Sequence, residues 1–206
     1  MLSKNSNNIE ITAQKALEIL KQGNLRFIKK QMNNRDLPNE AKITSGGQKP
    51  FALVLNCIDS RVPAELIFDM GIGDIFNIRI AGNIVNDDII GSMEFSCKLA
   101  GTKLIVILGH TSCGAVKGAC DHVELGSLTG LLKKIEPAID SIKTPEGTDR
   151  SSKNIEFVNQ VAQKNVEMVM ENITEQSKVL NKMIENKEVV LVGAMYDIST
   201  GRVTFE

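Results

Sequence analysis

Two short apolar runs, Ala52-Leu53-Val54-Leu55 and Leu104-Ile105-Val106-Ile107-Leu108, contain no alternating polar residue. A strand with one wet face alternates. An unbroken run of Val, Ile and Leu this short is buried on both faces, as in a parallel sheet covered by helices. The pattern predicts an α/β domain and says where its chemistry belongs, because open parallel sheets keep it in the crevice beyond the carboxyl ends of their strands. There the first run passes through Asn56 into Cys57-Ile58-Asp59-Ser60-Arg61, and the second through Gly109 into His110-Thr111-Ser112-Cys113.

The rest of the chain alternates in the same style. Ala13, Ala16, Leu17, Leu20, Phe27 and Ile28 recur at helical spacing after Thr12, a fitting N-cap, although Gly23 argues against one continuous helix. Residues 30–50 hold two prolines and adjacent glycines, and predict a long arm with at most a short helix. Further strands are expected at 74–79 and 188–194, with an edge strand at 203–205. Helices are expected after Pro63, after Asp87 as cap, at 115–119, at 128–142 despite Pro137, from Ile155 through Val169, and at 175–185. The expectation is a three-layer α/β domain around a mostly parallel sheet with right-handed crossovers. Residues 1–50 would form an N-terminal helix and arm of the same domain, and 51–206 its core.

With 24 basic and 25 acidic residues the net charge is -1, which gives no global sign of a nucleic-acid partner. No run approaches the ~20 apolar residues of a membrane span. Met1 to Glu10 lacks the hydrophobic segment of a secretory signal, so a cytoplasmic location is expected. The four cysteines do not define a disulfide scaffold.

Cys57, His110 and Cys113 would offer two thiolates and an imidazole, three donors that zinc accepts, leaving a fourth position for water or a carboxylate. Asp59 and Arg61, two apart in a loop after a strand, can form a charge-assisted pair. Held by Arg61, Asp59 would take a proton from a metal-bound water. Released, it would close the fourth position. The plainer reading of the pair is a loop-stabilising ion pair. Two other classes of protein fit the same residues. One is a structural or storage zinc protein with Asp59 permanently bound, and the other a thiol redox protein, which the lack of a Cys-x-x-Cys pair weighs against. Cys97 falls on an apolar helical face with Ile90 and Met93 and reads as core filler. Cys120 reads as structural, and no spacing brings His122 toward the other three.

Cys57-Ile58-Asp59-Ser60-Arg61 together with His110-Thr111-Ser112-Cys113 strongly resembles the beta-class carbonic anhydrases, and the likeness extends through Arg61-Val62-Pro63-Ala64-Glu65, Gly73-Asp74-Ile75-Phe76, Arg79-Ile80-Ala81-Gly82-Asn83 and Gly23-Asn24-Leu25-Arg26-Phe27. It covers about residues 12 to 205. The resemblance implies reversible hydration of carbon dioxide to bicarbonate and a proton by zinc-bound hydroxide, the work of a lyase with one Zn2+ per chain. It implies that Cys57, His110 and Cys113 are the zinc ligands, with Asp59 a possible fourth ligand in a closed state, and that Asp59 and Arg61 are the catalytic dyad. By the same resemblance Gln48 positions carbon dioxide or bicarbonate through its amide, and Phe76 belongs to an apolar substrate wall. Both would reach the site across a subunit interface, so the active unit would be a homodimer or a dimer of dimers (a homotetramer). Ala81 and Gly82 would lie beside the substrate. Phe95 stands where plant-like members carry Tyr, a change expected to alter substrate handling modestly. A relative acting on CS2 or COS would keep every one of these residues.

Overall fold

A computed structural model describes residues 11–206; Met1 to Glu10, on which the secretory-signal expectation rests, lie outside the described residues. Five strands make one sheet: β1 (Ala52–Asn56), β2 (Ile75–Arg79), β3 (Leu104–His110), β4 (Val190–Tyr196) and β5 (Val203–Phe205), in the order β2-β1-β3-β4-β5. The first four are parallel, and β5 closes one edge antiparallel to β4. From β1 the chain moves outward to β2, then returns to lay β3 on the other side of β1. The direction of winding therefore reverses between β1 and β3, and the crevice at such a reversal is where open α/β sheets bind ligands.

Side chains of alternating residues on these strands enter two cores. Ala52, Val54, Leu104, Val106 and Leu108 pack under α1 (Ala13–Ile28) and α3 (Ala64–Ile67) through Ala16, Leu20, Ala64 and Ile67. Leu53, Leu55, Ile105 and Ile107 meet Ile90 and Met93 of α4 (Asp87–Glu94), Val166 and Val169 of α8 (Ile155–Gln176), and Leu180 of α9 (Lys178–Glu185). Helices thus cover both faces, giving the three layers expected from the unalternating runs. A third apolar cluster lies past the strand ends, where Cys57 and Cys113 join Val116 of α5 (Gly114–Cys120), Leu132 of α6 (Gly126–Leu132), Ile139 of α7 (Glu136–Ser141), and Ile135 and Phe157. The short α2 (Leu37–Thr44) is the one helix of the arm. No helix among the described residues is long and apolar enough to cross a membrane.

Gly23 does not interrupt α1, whose N-cap Thr12 accepts from the Lys15 N–H as expected. The glycine is there for contact: a Cβ at this position would stand 1.7 Å from the Phe68 carbonyl oxygen. Beside it, buried Asn24 donates to the carbonyls of Ile67 and Gly201 and accepts from the Val203 N–H, tying α1 to α3 and the sheet edge. On an exposed helix Gly→Ala gains up to about 1 kcal/mol. Here the clash with backbone outweighs that gain, and Gly23→Ala is expected to cost about 2 kcal/mol, lowering the thermal midpoint by roughly 4–8 °C in a melting experiment.

Two expectations need correction. The helix at 128–142 is two helices, α6 and α7, with a turn over Lys133 to Ile135. Pro137 has no N–H and its ring opposes the carbonyl four residues back, so it sits instead in the first turn of α7, where no donor is needed. The cap of α4 is Asn86, whose side chain accepts from the Ile89 N–H at 3.0 Å; Asp87 is the first helical residue, in the first turn where the helix dipole favours an acidic residue. Beyond α4 the chain makes one π-helical turn, Phe95–Leu99, before Gly101 ends it at φ +81°.

Candidate metal centre

Cys57 leaves β1 one residue after Asn56, and His110 is the last residue of β3, whose Leu108 is in register with Asn56. Neighbouring parallel strands therefore deliver thiol and imidazole to the same place. Cys113 follows through a turn in which Ser112 takes a left-handed backbone, φ +55°, and it caps the start of α5. The Sγ atoms of Cys57 and Cys113 are 3.9 Å apart, and the ligand atoms of Cys57, His110 and Cys113 all lie within 4.8 Å of one another, every one of these residues being buried.

The donor set suits a cation. His110 Nδ1 is 3.0 Å from the Thr111 carbonyl oxygen, which fixes the proton on Nδ1 and leaves Nε2 as a bare lone pair. That Nε2 is buried and has no hydrogen-bond partner, a costly state for a polar atom unless a ligand completes it. The Cys57 thiol is lowered to about 4, most of all by its hydrogen bond to Cys113, with help from the backbone N–H groups of Asp59 and Gly82, against the opposing effect of burial. Cys113 is pushed far up, by Cys57 first and burial second, although the amides of Val116 and Ala115 at the start of α5 favour its charge. The bare pair thus carries one negative charge. A divalent cation removes that limit, letting both sulfurs bind as thiolates.

Asp59 is gripped by Arg61 through three bonds: Nε to Oδ1 at 2.9 Å, Nη2 to Oδ2 at 2.7 Å, and the backbone N–H to Oδ1 at 3.0 Å. This bidentate hold, with the Arg61 amide, keeps the carboxyl well below the usual carboxylate range against the opposing effect of burial. Gly82, at φ +67° in a 3₁₀ turn starting at Ala81, points its N–H at Cys57 Sγ, 3.4 Å away. Ala81 is half-buried beside it. Gln48, Phe76 and Phe95 lie elsewhere in the chain. Gln48 is exposed before the amino end of β1, the end opposite Cys57. Phe76 is the second residue of edge strand β2 and meets Phe95 edge-on, ring centroids 6.4 Å apart, with Phe95 52% exposed.

Several contacts to the site loops were not drawn from the sequence. Arg79, last residue of β2, donates to the carbonyls of Cys57 (3.0 Å) and Asp59 (2.6 Å), and buried Asn56 donates to the Val62 carbonyl, closing the same loop from beneath. Asn159 and Asn165 of α8 reach Ser112 and Gly82. For Arg79 and Asn56 a signal existed, since both end strands beside Cys57. The asparagines lie far off in sequence, inside an ordinary amphipathic helix.

Fold and site together define an open α/β protein with a buried Cys–His–Cys cluster, a candidate metal centre, at the point where its sheet reverses. The family model for carbonic anhydrase matches residues 52–203, and the chain belongs to that family. Carbonic anhydrase 2 of Mycobacterium tuberculosis is 32% identical over 194 residues, covering 91% of this chain and 89% of that protein. The carbonic anhydrase of Mycolicibacterium smegmatis is 31% identical, covering 91% and 90%. Among solved structures, a tetrameric beta-carbonic anhydrase of Sordaria macrospora superposes with a TM-score of 0.70 at 27% identity, covering 82% of this chain and 86% of that one. The beta-class likeness carried by the paired motifs is thereby shown for the fold and the family.

Proposed function

We propose that this chain is a zinc enzyme that interconverts carbon dioxide and bicarbonate, a carbonate dehydratase. The observation that carries this reading is the buried Cys57–His110–Cys113 cluster, with its unpartnered Nε2 and the Arg61-held Asp59 beside it, in a member of the carbonic anhydrase family. Two soft sulfurs and one nitrogen favour zinc over magnesium or calcium, which take oxygen. Zinc, when bound, is a Lewis acid that brings the pKa of a water from 15.7 toward about 7.

The chain's residues do the rest. Cys57, Cys113 and His110 hold the ion, and three protein ligands leave one position free for chemistry. Asp59 is oriented by Arg61 and stays ionised, so it accepts a hydrogen bond from the reacting water and passes the proton on to solvent; a group held so low does not store it. Gly82 steadies the Cys57 sulfur. Gln48 and Phe76, distant from this chain's own cluster, serve a second copy by supplying an amide and an apolar wall. That placement, with the tetrameric neighbour from Sordaria macrospora, supports a homo-oligomer built from dimers. Residues 11–50, whose α1 packs on the sheet, belong to the same domain as the core, and the cytoplasm is the compartment we assign.

The test is stopped-flow hydration of carbon dioxide with metal analysis of the same sample. About one zinc per chain and turnover proportional to it are expected; turnover in samples stripped of zinc would reject the mechanism. Carbonyl sulfide offered in competition separates this activity from that of a relative with the same ligands.

A further inference from the structure

We propose that α8 is the brace of the metal centre: Asn159 and Asn165 are positioning residues that hold, from one rigid helix, the Ser112 turn leading into Cys113 and the Gly82 turn whose N–H faces the Cys57 sulfur. The inference rests on the metal-site reading above and concerns residues outside the ligand set and the Asp59–Arg61 pair.

Each arm is visible as a side-chain bond to loop backbone. Asn165 Nδ2 donates to the Gly82 carbonyl oxygen at 2.9 Å, across 83 residues of sequence. The N–H of the same Gly82 faces Cys57 Sγ, so fixing this residue fixes the direction of a hydrogen bond to the sulfur. Gly82 has little room to drift, since a Cβ on it would lie 2.7 Å from Ile135 Cδ1 and 3.3 Å from Ala115 Cβ. On the other side, Asn159 Oδ1 accepts from the Ser112 N–H at 2.8 Å. Ser112 is the left-handed residue between His110 and Cys113. The two asparagines stand six residues apart, roughly 9 Å along the helix axis. One straight element therefore sets the separation of the loops on which the two sulfurs depend.

Holding α8 to the sheet does not require these amides. Phe157, Val158, Val161, Ala162, Val166 and Val169 already bury its inner face. Asn165 is 2% exposed in the middle of that apolar stripe. Burying an amide there is unfavourable unless it is bonded, and its bond goes to the loop that touches Cys57. Residues one step behind metal ligands orient them, and losing one typically lowers metal affinity or activity about 10- to 100-fold.

The experiment uses the full chain loaded with zinc, and separately with cobalt(II), in four forms: wild type, Asn165→Leu, Asn159→Ala, and Val169→Ala as a cavity-forming control on the same helix. Chelator competition reads zinc affinity, and the sulfur-to-cobalt charge-transfer band reads ligand geometry. Both asparagine variants are expected to bind zinc about 10- to 100-fold more weakly and to shift the cobalt band. Val169→Ala should lose thermal stability while keeping wild-type affinity and spectrum. Wild-type affinity and band in either asparagine variant, or equal changes in the Val169 control, would overturn the brace. Should Asn165→Leu fail to fold, the half-buried Asn159 decides by the same readings. A wild-type chain that retains no zinc overturns the metal-site reading and the brace with it; a zinc-retaining wild type beside indifferent variants overturns the brace alone.

Discussion

Cys57→Ser is expected to purify with far less than one zinc per chain and to hydrate carbon dioxide at close to the uncatalysed rate. A hydroxyl does not ionise near neutral pH, whereas the Cys57 thiol is lowered to about 4 before any cation arrives. The substitution removes the one donor of the three that is already charged. It also leaves two donors, too few for zinc's usual protein complement. Without the ion, the pKa of a water returns from about 7 to 15.7, and the hydroxide available at neutral pH falls by roughly eight to nine powers of ten. Residual activity then reports residual zinc. The fold should survive, because the sheet is held by β1–β3 pairing and two cores away from this sulfur. Metal analysis and circular dichroism on one preparation check this, and full zinc content in the variant would show that Cys57 is not a ligand.

Asp59→Asn separates binding from turnover. Asp59 lies outside the cluster of ligand atoms, so zinc should remain near one per chain. What is lost is the ionised acceptor. An amide offers Arg61 no charge and the reacting water a weaker acceptor, and removing a positioned proton acceptor typically costs about 10²- to 10⁴-fold. Stability should hardly change, since Arg61 is 53% exposed and such pairs are worth about 0–1 kcal/mol. The sign of the pH dependence follows from the lowered Asp59 pKa. Its contribution to folding is present above the unfolded carboxylate value near 4 and fades only as pH falls below it. Because the pair is solvent-screened, the variant's melting curve at pH 7 should lie within about 1 kcal/mol of the wild type, a difference that shrinks as pH falls below about 4, while stopped-flow turnover drops by orders of magnitude. Unchanged turnover would take Asp59 out of the mechanism.

Much of this architecture could be read from residues because burial on both faces leaves a plain mark. The runs at 52–55 and 104–108 could only be inner strands, and inner parallel strands send their ends to one crevice. That logic brings Cys57, His110 and Cys113 together without knowing the strand order. The order itself has no local signature, since it is set by which helix covers which face. The break at Lys133 to Ile135 was missed because apolar spacing runs through it and only Pro137 objects. Gly23 misled in the opposite direction: its reason is the Phe68 carbonyl, a partner that helical periodicity does not reveal. Asn159 and Asn165 look like polar positions of an amphipathic helix until the fold supplies Ser112 and Gly82. Gln48 and Phe76 were singled out through family likeness alone, and within one chain neither is placed with the Cys–His cluster.

The outermost strand has a bearing on the loop that carries Cys57 and Asp59. β2 pairs only with β1 among the described residues, so one row of its amides and carbonyls faces outward, beside half-buried Phe76 and the exposed Phe95 packed against it. Its last residue is Arg79, whose guanidinium clasps the carbonyls of Cys57 and Asp59. The end of this outer strand is therefore joined to the Cys57–Asp59 loop by one side chain, in addition to the backbone pairing of β2 with β1.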